Sequence, residues 1–355
     1  MDTVVVPFSP QYLPAVERFS ELHWSRPRTT AYYRWRYLDS GPFSKMFLAL
    51  RGNECLGTLV ALRKRYLVAG RETPCLEVFD WHSLPEQRGT GIGVRLMRAM
   101  MRQPERVISV GGTPIVHAAL PAMGWQRLPP ARMFELKTST DALAAALRRR
   151  IGLPSSTTRV PLGLLARTWF RPRRRKPPSR GVALAVAMVG DEVRQLYDGN
   201  TGYGLLQVPD RDVVRWFTSG YPGSGGFGFL YFAVDGHLRG WSMTRVYESQ
   251  RGREASILDL FAPSPDTALY TWMVSEAASS VLGFEPRVIR ALASCPILQA
   301  ALRKNRFVET SEDTPVMTWP PGLADCVGSV HVTLNHSDEP LRPYPSPHAA
   351  SALFV

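Results

Sequence analysis

Cysteine is scarce in this sequence of 355 residues, which contains four cysteines. They are widely separated, with no C-x-x-C pair and no histidine at ligand spacing, so the sequence indicates neither a zinc site nor a disulfide framework. Reduced thiols in a cytosolic protein are the expected state, and no metal site is predicted. The four positions are Cys55, Cys75, Cys295 and Cys326.

Long apolar runs are also missing. The chain begins Met1-Asp2-Thr3, without the basic segment and apolar core of a secretory signal. The longest apolar run lies between Gly181 and Gly190 and is about half as long as a membrane-spanning helix. These absences predict a soluble, cytoplasmic protein.

Positive charge, in contrast, is in excess, with a formal net charge of +13. Two arginine-rich runs, at 148–150 and 171–176, account for part of it. A basic field attracts anions such as nucleic acid, a membrane surface or phosphorylated cofactors. A solvated linker is the simpler interpretation of the two runs, and peripheral membrane contact through that linker is the alternative.

A weak internal repeat runs through the chain, whose length suits two domains of roughly 150 residues each. Trp35 recurs as Trp216 after 181 positions, and Gly57 recurs as Gly240 after 183. Landmarks further downstream keep a similar offset, which predicts two copies of one domain. The predicted segments are a first domain at 1–150, a basic Pro/Arg-rich linker at 151–180, a second domain at 181–322 and an extended or disordered tail at 323–355.

Hydrophobic periodicity gives the order of elements in the first copy. Two helices come first, followed by three strands joined by tight turns, then a helix, a strand, a helix and a last strand. This order predicts an α/β fold in which a mixed, mostly antiparallel sheet is flanked by helices. The predicted helices are 14–24, 30–38, 91–101 and 115–123, and the predicted strands are 46–50, 56–62, 75–81, 106–110 and 132–136.

The third predicted strand leads into a glycine-rich loop at the start of a helix, Arg88-Gly89-Thr90-Gly91-Ile92-Gly93. Glycines allow main-chain N–H groups to converge, and a helix N-terminus carries about half a positive charge, so the loop suits a pyrophosphate. It lacks the Gly-Lys-Ser/Thr ending of nucleoside-triphosphate loops, and its third glycine comes one residue too early for the dinucleotide fingerprint. A glycine-rich helix entry without a ligand is the structural alternative.

These residues resemble the cofactor loop of the general N-acetyltransferase (GNAT) superfamily, which reads Arg/Gln-x-x-Gly-x-Gly/Ala after the fourth strand. Gly124-Trp125 matches the family's frequent Gly-Phe before its last strand. The corresponding loop of the second copy, 262–266, has no glycine, so the chain resembles a tandem GNAT protein with a degenerate second domain. Mycothiol-synthase-like and FemX-like enzymes have tandem domains of this kind. The first copy, which contains the segment 33–38, looks most like bacterial acetyltransferases associated with polysaccharide biosynthesis.

The resemblance implies that the chain uses acetyl-CoA or another acyl-CoA. In the family, the strand before the loop separates from its neighbour, and the pantetheine arm pairs with the end of that strand, here Trp81 and Ser83. A main-chain N–H in this region polarises the thioester carbonyl. The implied phosphate-binding residues are Arg88, Gly89, Thr90, Gly91, Ile92 and Gly93.

Attack on a thioester needs a neutral amine, so a carboxylate that removes a proton would help. Glu77 occupies the position where several family members carry this base, and Asp80 is the second candidate, on the opposite face of a regularly pleated strand. A salt bridge or a solvated strand edge is the structural alternative for each. Leu120 replaces the family's tyrosine acid, which leaves open a solvent-assisted route or an inactive domain. His117, one helical turn earlier, is the candidate acid, and a histidine that only forms a hydrogen bond is its structural alternative.

The predicted activity is transfer of an acetyl or similar acyl group from coenzyme A to an amine, on an amino sugar or a small metabolite. Two alternatives stay open: a non-catalytic acyl-CoA sensor or scaffold, and a FemX-like tRNA-dependent aminoacyl transferase. The latter, and nucleic acid with it, is disfavoured because such enzymes do not need the coenzyme A loop and aromatic residues are sparse around the basic run. An acceptor pocket is expected where the two copies meet, with Trp24, Tyr32, Arg34 and Arg36 in its wall.

Overall fold

A single mixed sheet, to which both halves of the chain contribute strands, forms the centre of the computed structural model. Helices pack against this sheet and enclose two hydrophobic cores. The structure describes residues 2–23, 29–41, 43–138, 175–198, 200, 203–219, 225–323, 329–337 and 339–341.

In the first half, alternating or continuous apolar runs form the long strands, and apolar residues at helical spacing form the helices. The elements are β1 (Val4–Pro7), α1 (Leu13–His23), α2 (Thr30–Tyr33), β2 (Ser44–Arg51), β3 (Glu54–Val68), β4 (Arg71–Ser83), α3 (Ile92–Met101), β5 (Arg106–Val110), α4 (Pro114–Ala122) and β6 (Gln126–Lys137). A wider helical segment, Arg34–Asp39, continues directly from α2. Positive φ angles at Gly52 and Gly70 close the hairpins that join β2, β3 and β4.

The second half repeats much of this order. Its elements are β7 (Gly181–Val186), β8 (Leu205–Val208), α5 (Arg211–Ser219), β9 (Gly226–Val234), β10 (His237–Ser249), β11 (Gly252–Phe261), α6 (Thr267–Leu282), β12 (Val288–Ala293), α7 (Pro296–Lys304), β13 (Val308–Trp319) and β14 (Val330–His331). The meander β9 to β11, the helix α6 and the strand β12 correspond to β2 to β4, α3 and β5 of the first half. The repeat found in the sequence is therefore visible in the order of elements.

The two halves exchange strands β6 and β13. The sheet order is β1-β2-β3-β4-β5-β13-β6-β12-β11-β10-β9-β7, so β13 of the second half lies between β5 and β6 of the first. In turn, β6 pairs with β12 and β13, which both belong to the second half. The short strand β8 also crosses between halves, because it pairs with β3 on one side and β14 on the other.

The predicted α/β fold with a large mixed sheet and flanking helices is confirmed. The domain boundaries stay a prediction, and most of the predicted linker lies outside the described residues, together with the run 148–150. Residues 330–336, which belong to the segment predicted as an extended or disordered tail, are at most 4% exposed and pack into the interior. Their apolar residues alternate, which is a strand signal that the surrounding polar and proline residues obscure.

Several features bear on the expected chemistry and location. None of the helices in the described ranges is long and apolar enough to cross a membrane. Within the same ranges, no group of three or more His, Cys, Asp or Glu side chains could hold a metal ion. Cys55, Cys75 and Cys295 are buried free thiols, and burial raises the pKa of Cys55 and of Cys75 to about 12. Cys326 lies outside the described residues.

Candidate functional site

Strand β4 separates from β5 before it reaches its own end. The two strands pair in parallel only between 75–78 and 106–109, whereas β4 continues to Ser83. Its other edge stays paired with β3 up to Ser83. One edge of residues 79–83 therefore has no strand partner in the described part of the chain, and its main-chain groups can pair with an extended ligand.

A β-bulge at Asp80 marks the point of separation. The register between β3 and β4 shifts between Thr58 and Val60, and Asp80 has a positive φ of 47°. Thr58 Oγ1 donates to the carbonyl of Asp80 at 3.1 Å. Because a bulge re-aims the side chains that follow it, the regular alternation that would place Asp80 opposite Glu77 does not apply here.

The loop after β4 brings free main-chain N–H groups to the start of α3. Gly89 and Gly91 both have a φ of 82°, and Gly91 caps the helix without a side-chain hydrogen bond. The first hydrogen bond within the helix runs from Arg95 N to Gly91 O at 3.0 Å. The N–H groups of Gly91, Ile92 and Gly93 precede it and have no acceptor among the described residues. Together with the positive end of the helix dipole, they suit a diphosphate.

The loop and the free strand edge are packed tightly together. Trp81 Nε1 donates to Gly93 O at 3.1 Å, which ties the end of β4 to the first turn of α3. A Cβ at Gly57 on β3 would lie 2.9 Å from His82 O and 3.1 Å from Ile92 Cγ2, so this approach requires glycine. A Cβ added at Gly89 or at Gly91, by contrast, would have no atom within 4 Å. The open side of the loop is therefore the side on which an anion can bind.

The other residues predicted to bind the cofactor lie around this loop. Ser83 is the last paired residue of β4, opposite Gly57. Arg88 is exposed and carries its charge beside the loop. The Thr90 hydroxyl donates to Gln87 O at 2.7 Å, so it stabilises the turn. The structure thus brings together all eight residues that the sequence assigns to the cofactor.

Glu77 lies away from the free strand edge, in the interior. Its side chain is 3% exposed, with Oε1 2.9 Å from Lys64 Nζ and Oε2 accepting from Tyr66 Oη at 2.6 Å. Lys64 Nζ also donates to Asn335 O at 2.7 Å. Burial and the neighbouring Glu77 carboxylate raise the pKa of Tyr66 well above its usual range. Because both carboxylate oxygens already have donors, these contacts favour a structural role for Glu77.

Asp80 lies beside the free edge and pairs with a buried cation. Arg36 donates to Asp80 Oδ2 from Nη2 at 2.8 Å and from Nε at 3.3 Å. Its guanidinium stacks over the ring of Phe79 at 4.4 Å. Asp80 Oδ1 lies 4.0 Å from His82 Nε2, so the carboxylate stands between an arginine and an imidazole.

Two histidines complete this group, and the sequence prediction missed both. The rings of His82 and of His23, the last residue of α1, have centroids 4.5 Å apart. Burial, together with the nearby His82 and Arg88, lowers the pKa of His23 to about 4. The position of His82 between Trp81 and Ser83 was a usable signal. His23 could not be found in this way, because only the packing of α1 brings it close.

The candidate acid His117 lies on α4 and has no hydrogen bond or ion pair with Asp80 or His82. Its Nε2 is buried without a hydrogen-bond partner among the described residues, and its carbonyl accepts from Arg127 Nη2 at 3.1 Å. Leu120, at the position where the resemblance noted in the sequence implies a tyrosine, is fully buried in the core of the first half.

The residues predicted to line an acceptor pocket lie in different surroundings. Tyr32 and Arg36 are buried, and Arg36 forms the ion pair with Asp80. Arg34 is exposed. Trp24 lies outside the described residues. Of this set, Arg36 is the residue that the structure brings to the site.

In the second half, the equivalent strands also separate. β11 and β12 pair in parallel only over 255–257 and 289–291. The segment 330–336 fills the space beyond. Ser294, which follows β12, donates its N–H to Val332 O at 3.1 Å.

Polar contacts fix this segment to the opposite strand as well. Thr333 Oγ1 donates to Asp259 Oδ1 on β11 at 3.1 Å, and Asn335 Nδ2 donates to Asp259 Oδ2 at 3.3 Å. At the start of α6, Asp266 Oδ1 accepts from Ala268 N at 2.7 Å. A carboxylate of the chain therefore occupies the place that corresponds to the free N–H groups of α3.

Comparison with known proteins agrees with the geometry of the first half. Residues 9–119 match the family model of the acetyltransferase (GNAT) domain. The matched region begins before α1 and ends within α4, so it contains the free edge of β4, the glycine loop and α3. Among curated proteins, none matches this chain.

Solved structures with the same fold cover most of the chain. A GCN5-related N-acetyltransferase from Anabaena variabilis has a TM-score of 0.58 at 12% identity, over 89% of this chain and 72% of that one. Saccharomyces cerevisiae N-myristoyltransferase, solved with myristoyl-CoA, has a TM-score of 0.58 at 11% identity, over 89% of this chain and 82% of that one. A tandem GNAT protein from the clavulanic acid biosynthesis pathway has a TM-score of 0.54 at 15% identity, over 89% of this chain and 98% of that one. The predicted GNAT fold is thereby confirmed, while the narrower resemblance to polysaccharide-associated enzymes stays a prediction.

Proposed function

We propose that this chain is an acyl-CoA-dependent N-acyltransferase, which transfers an acetyl or similar acyl group to an amine. The observation that carries the proposal is that the free edge of β4 and the open start of α3 meet at one place, joined by Trp81. A strand edge suits an amide-containing arm, and a helix start suits a diphosphate. The family match over 9–119 and the shared fold support acyl transfer as the type of reaction.

The two parts of this site would hold the two parts of the cofactor. Main-chain N–H groups of the loop would bind the diphosphate, while Arg88 adds a positive charge beside them. The free edge at Trp81 and Ser83 would bind the pantetheine arm. Bound there, acyl-CoA supplies an acyl group that is activated as a thioester. The loop N–H groups belong to Gly89, Gly91, Ile92 and Gly93.

The acceptor is proposed to be the amine of a small metabolite or an amino sugar. Such an amine is mostly protonated at neutral pH and must lose a proton before it attacks. Asp80 and His82 lie where a strand edge is open to a ligand, whereas Glu77 is enclosed by Lys64 and Tyr66. We therefore assign the proton-handling part of the site to the Asp80 side of β4. For His117, the role of acid to the leaving thiolate stays a prediction.

Calorimetry with acetyl-CoA tests the binding part of the proposal. Gly91→Val places a side chain in the open side of the loop and should abolish binding. The matched control is Gly236→Val in the β9–β10 hairpin, because Gly236 has a φ of 81° and, like Gly91, open space in front of it. The control has the same backbone strain and should bind as the wild type does. No heat with wild-type protein, or unchanged uptake by Gly91→Val, contradicts the proposal.

Release of free thiol tests the catalytic part. Wild-type protein, acetyl-CoA and a panel of primary amines, including glucosamine, are mixed, and the thiol is measured with a chromogenic disulfide. We expect amine-dependent release with at least one amine. Binding of acetyl-CoA without turnover of any amine would count against an enzyme and favour a sensor.

A further inference from the structure

His82 occupies the most accessible position in the group around Asp80. The side chain of His82 is 29% exposed, whereas that of Asp80 is 11% exposed. Arg36, on the far side of Asp80, is 2% exposed. Of these three side chains, His82 is the one that a bound acceptor can reach. It also lies between Trp81 and Ser83, on the part of β4 that has no partner in β5.

Asp80 is arranged to orient its neighbours. Its Oδ2 accepts two N–H groups from Arg36, and its Oδ1 faces His82 Nε2. Arg36 is itself fixed, because it is buried and stacked on Phe79. A carboxylate held in this way fixes the orientation of an imidazole and stabilises its protonated form.

The groups that face His82 differ in their effect on its charge. Asp80 favours the imidazolium, while Arg36 behind Asp80 opposes it. Arg88 acts on the neighbouring His23. His23, from α1, stacks on Phe19 with centroids 5.5 Å apart and covers one side of His82. Because burial lowers the pKa of His23 to about 4, His23 is neutral at neutral pH and does not compete for a proton.

We infer that His82 is the catalytic base of the proposed reaction, and that Asp80 and Arg36 are its positioning residues. The inference rests on the proposed acyl transfer. His82 takes one proton from the acceptor ammonium, and the neutral nitrogen then forms a bond to the acyl carbon. The carbon–sulfur bond breaks with its electron pair on sulfur, and a second proton passes from nitrogen to sulfur. The products are an amide and a free thiol, and His82 returns its proton to solvent.

The decisive variant is His82→Gln, and its control is His237→Gln. His237 is an exposed histidine in the β9–β10 hairpin, far along the chain from the site. With a primary alkylamine at neutral pH, His82→Gln should lower kcat by about 100-fold or more. Its KM for acetyl-CoA should change little, because the loop and the strand edge are intact. The control should keep wild-type kcat.

A second nucleophile separates proton removal from other roles. Methoxyamine is already unprotonated at neutral pH, so it does not need a base before it attacks. His82→Gln should therefore retain much more of the wild-type rate with methoxyamine than with an alkylamine. An equal loss with both nucleophiles overturns the assignment of His82 as the base, and so does an unchanged kcat with the alkylamine.

Nuclear magnetic resonance tests the positioning role without turnover. The ring proton signal of His82 is assigned by its loss in His82→Gln and is titrated in wild-type protein and in Asp80→Asn. Removal of the Asp80 charge should lower the pKa of His82, and the acid limb of the kcat/KM profile should move to lower pH with it. An unchanged titration overturns the positioning role of Asp80.

The outcomes also separate this inference from the proposed function. When wild-type protein acylates an amine but His82→Gln does so equally well, only the role of His82 fails. When wild-type protein acylates none of the amines, the transferase and the role of His82 fail together.

Discussion

Trp35 and Trp216 hydrogen-bond to each other's main chain in the interior of the protein. Trp35 Nε1 donates to Trp216 O at 3.2 Å, and Trp216 Nε1 donates to Trp35 O at 3.3 Å. Their rings are stacked with centroids 5.1 Å apart. The two residues hold equivalent places in the sequence repeat, so this is a reciprocal contact of the kind that two-fold symmetry produces.

Removal of one indole N–H from this pair should destabilise the fold. Trp35→Phe leaves the buried carbonyl of Trp216 without its donor, which costs about 1–3 kcal/mol in addition to the lost ring volume. Trp125→Phe is the control, because Trp125 is equally buried but its Nε1 has no hydrogen-bond partner in the described structure. Urea unfolding should show the larger loss for Trp35→Phe. Equal losses would mean that the reciprocal bonds contribute nothing measurable.

One chain should bind one acyl-CoA. The second gap between strands is filled by 330–336, and the start of α6 is capped by Asp266, so both parts of a second site are occupied by the chain itself. Calorimetry should give a stoichiometry of one for wild-type protein. Gly91→Val should leave no residual binding. A stoichiometry of two, or a weak site that survives Gly91→Val, would show that the second half also accepts the cofactor.

Glu77→Gln should lower the free energy of unfolding rather than remove a catalytic group. The change leaves the Lys64 ammonium buried beside a neutral amide, and loss of one partner from a buried ion pair costs about 3–5 kcal/mol. The control Glu72→Gln breaks ion pairs in which the Glu72 side chain is 38% exposed, so it should cost about 1 kcal/mol or less. Chemical denaturation measures both. A folded Glu77→Gln protein of normal stability that has lost kcat would instead identify Glu77 as the base.

Stability should fall as the pH drops from about 6.5 to 4. Burial lowers the pKa of His331 from 6.5 to about 4, and that of His23 likewise to about 4. The unfolded chain therefore binds more protons in this window, and acid favours unfolding.

Asp259 should partly offset this loss. Burial raises its pKa from 3.8 to about 6, so the folded state takes up a proton there before the unfolded state does. That contribution is fully present below about pH 3.8 and is lost as the pH rises through 6. Asp259→Asn should make the acid-side fall steeper, and His331→Phe should make it shallower. Thermal melts at several pH values measure both slopes, and parallel curves for all three proteins would contradict the assignment.

Local patterns predicted the strand, the glycine loop and the helix that form the candidate cofactor site. The order of strand, glycine loop and helix depends on neighbouring residues, so it could be read from Arg88 to Gly93 without tertiary information. The separation of β4 from β5 came from the family resemblance, and the observed pairing, which stops at Val78, agrees with it.

Long-range contacts account for what the sequence did not show. The sequence leaves Glu77 open between a catalytic base and a salt bridge, because its partners Lys64 and Tyr66 lie on another strand. The bulge at Asp80 interrupts the alternation of side chains along β4. The prediction that Asp80 lies on the face opposite Glu77 assumed that this alternation is regular. Similarly, the burial of 330–336 depends on a gap between β11 and β12 that no local pattern reveals.

The exchange of β6 and β13 affects how the protein can be divided. Each half completes the other's sheet, so neither stretch of chain has a finished edge on its own. A protease that cuts between them would leave two fragments held together by paired strands. Gene fragments encoding the halves should need co-expression to give soluble material. For the same reason, the first half requires the second, even though the start of α6 in the second half is capped by the chain's own Asp266.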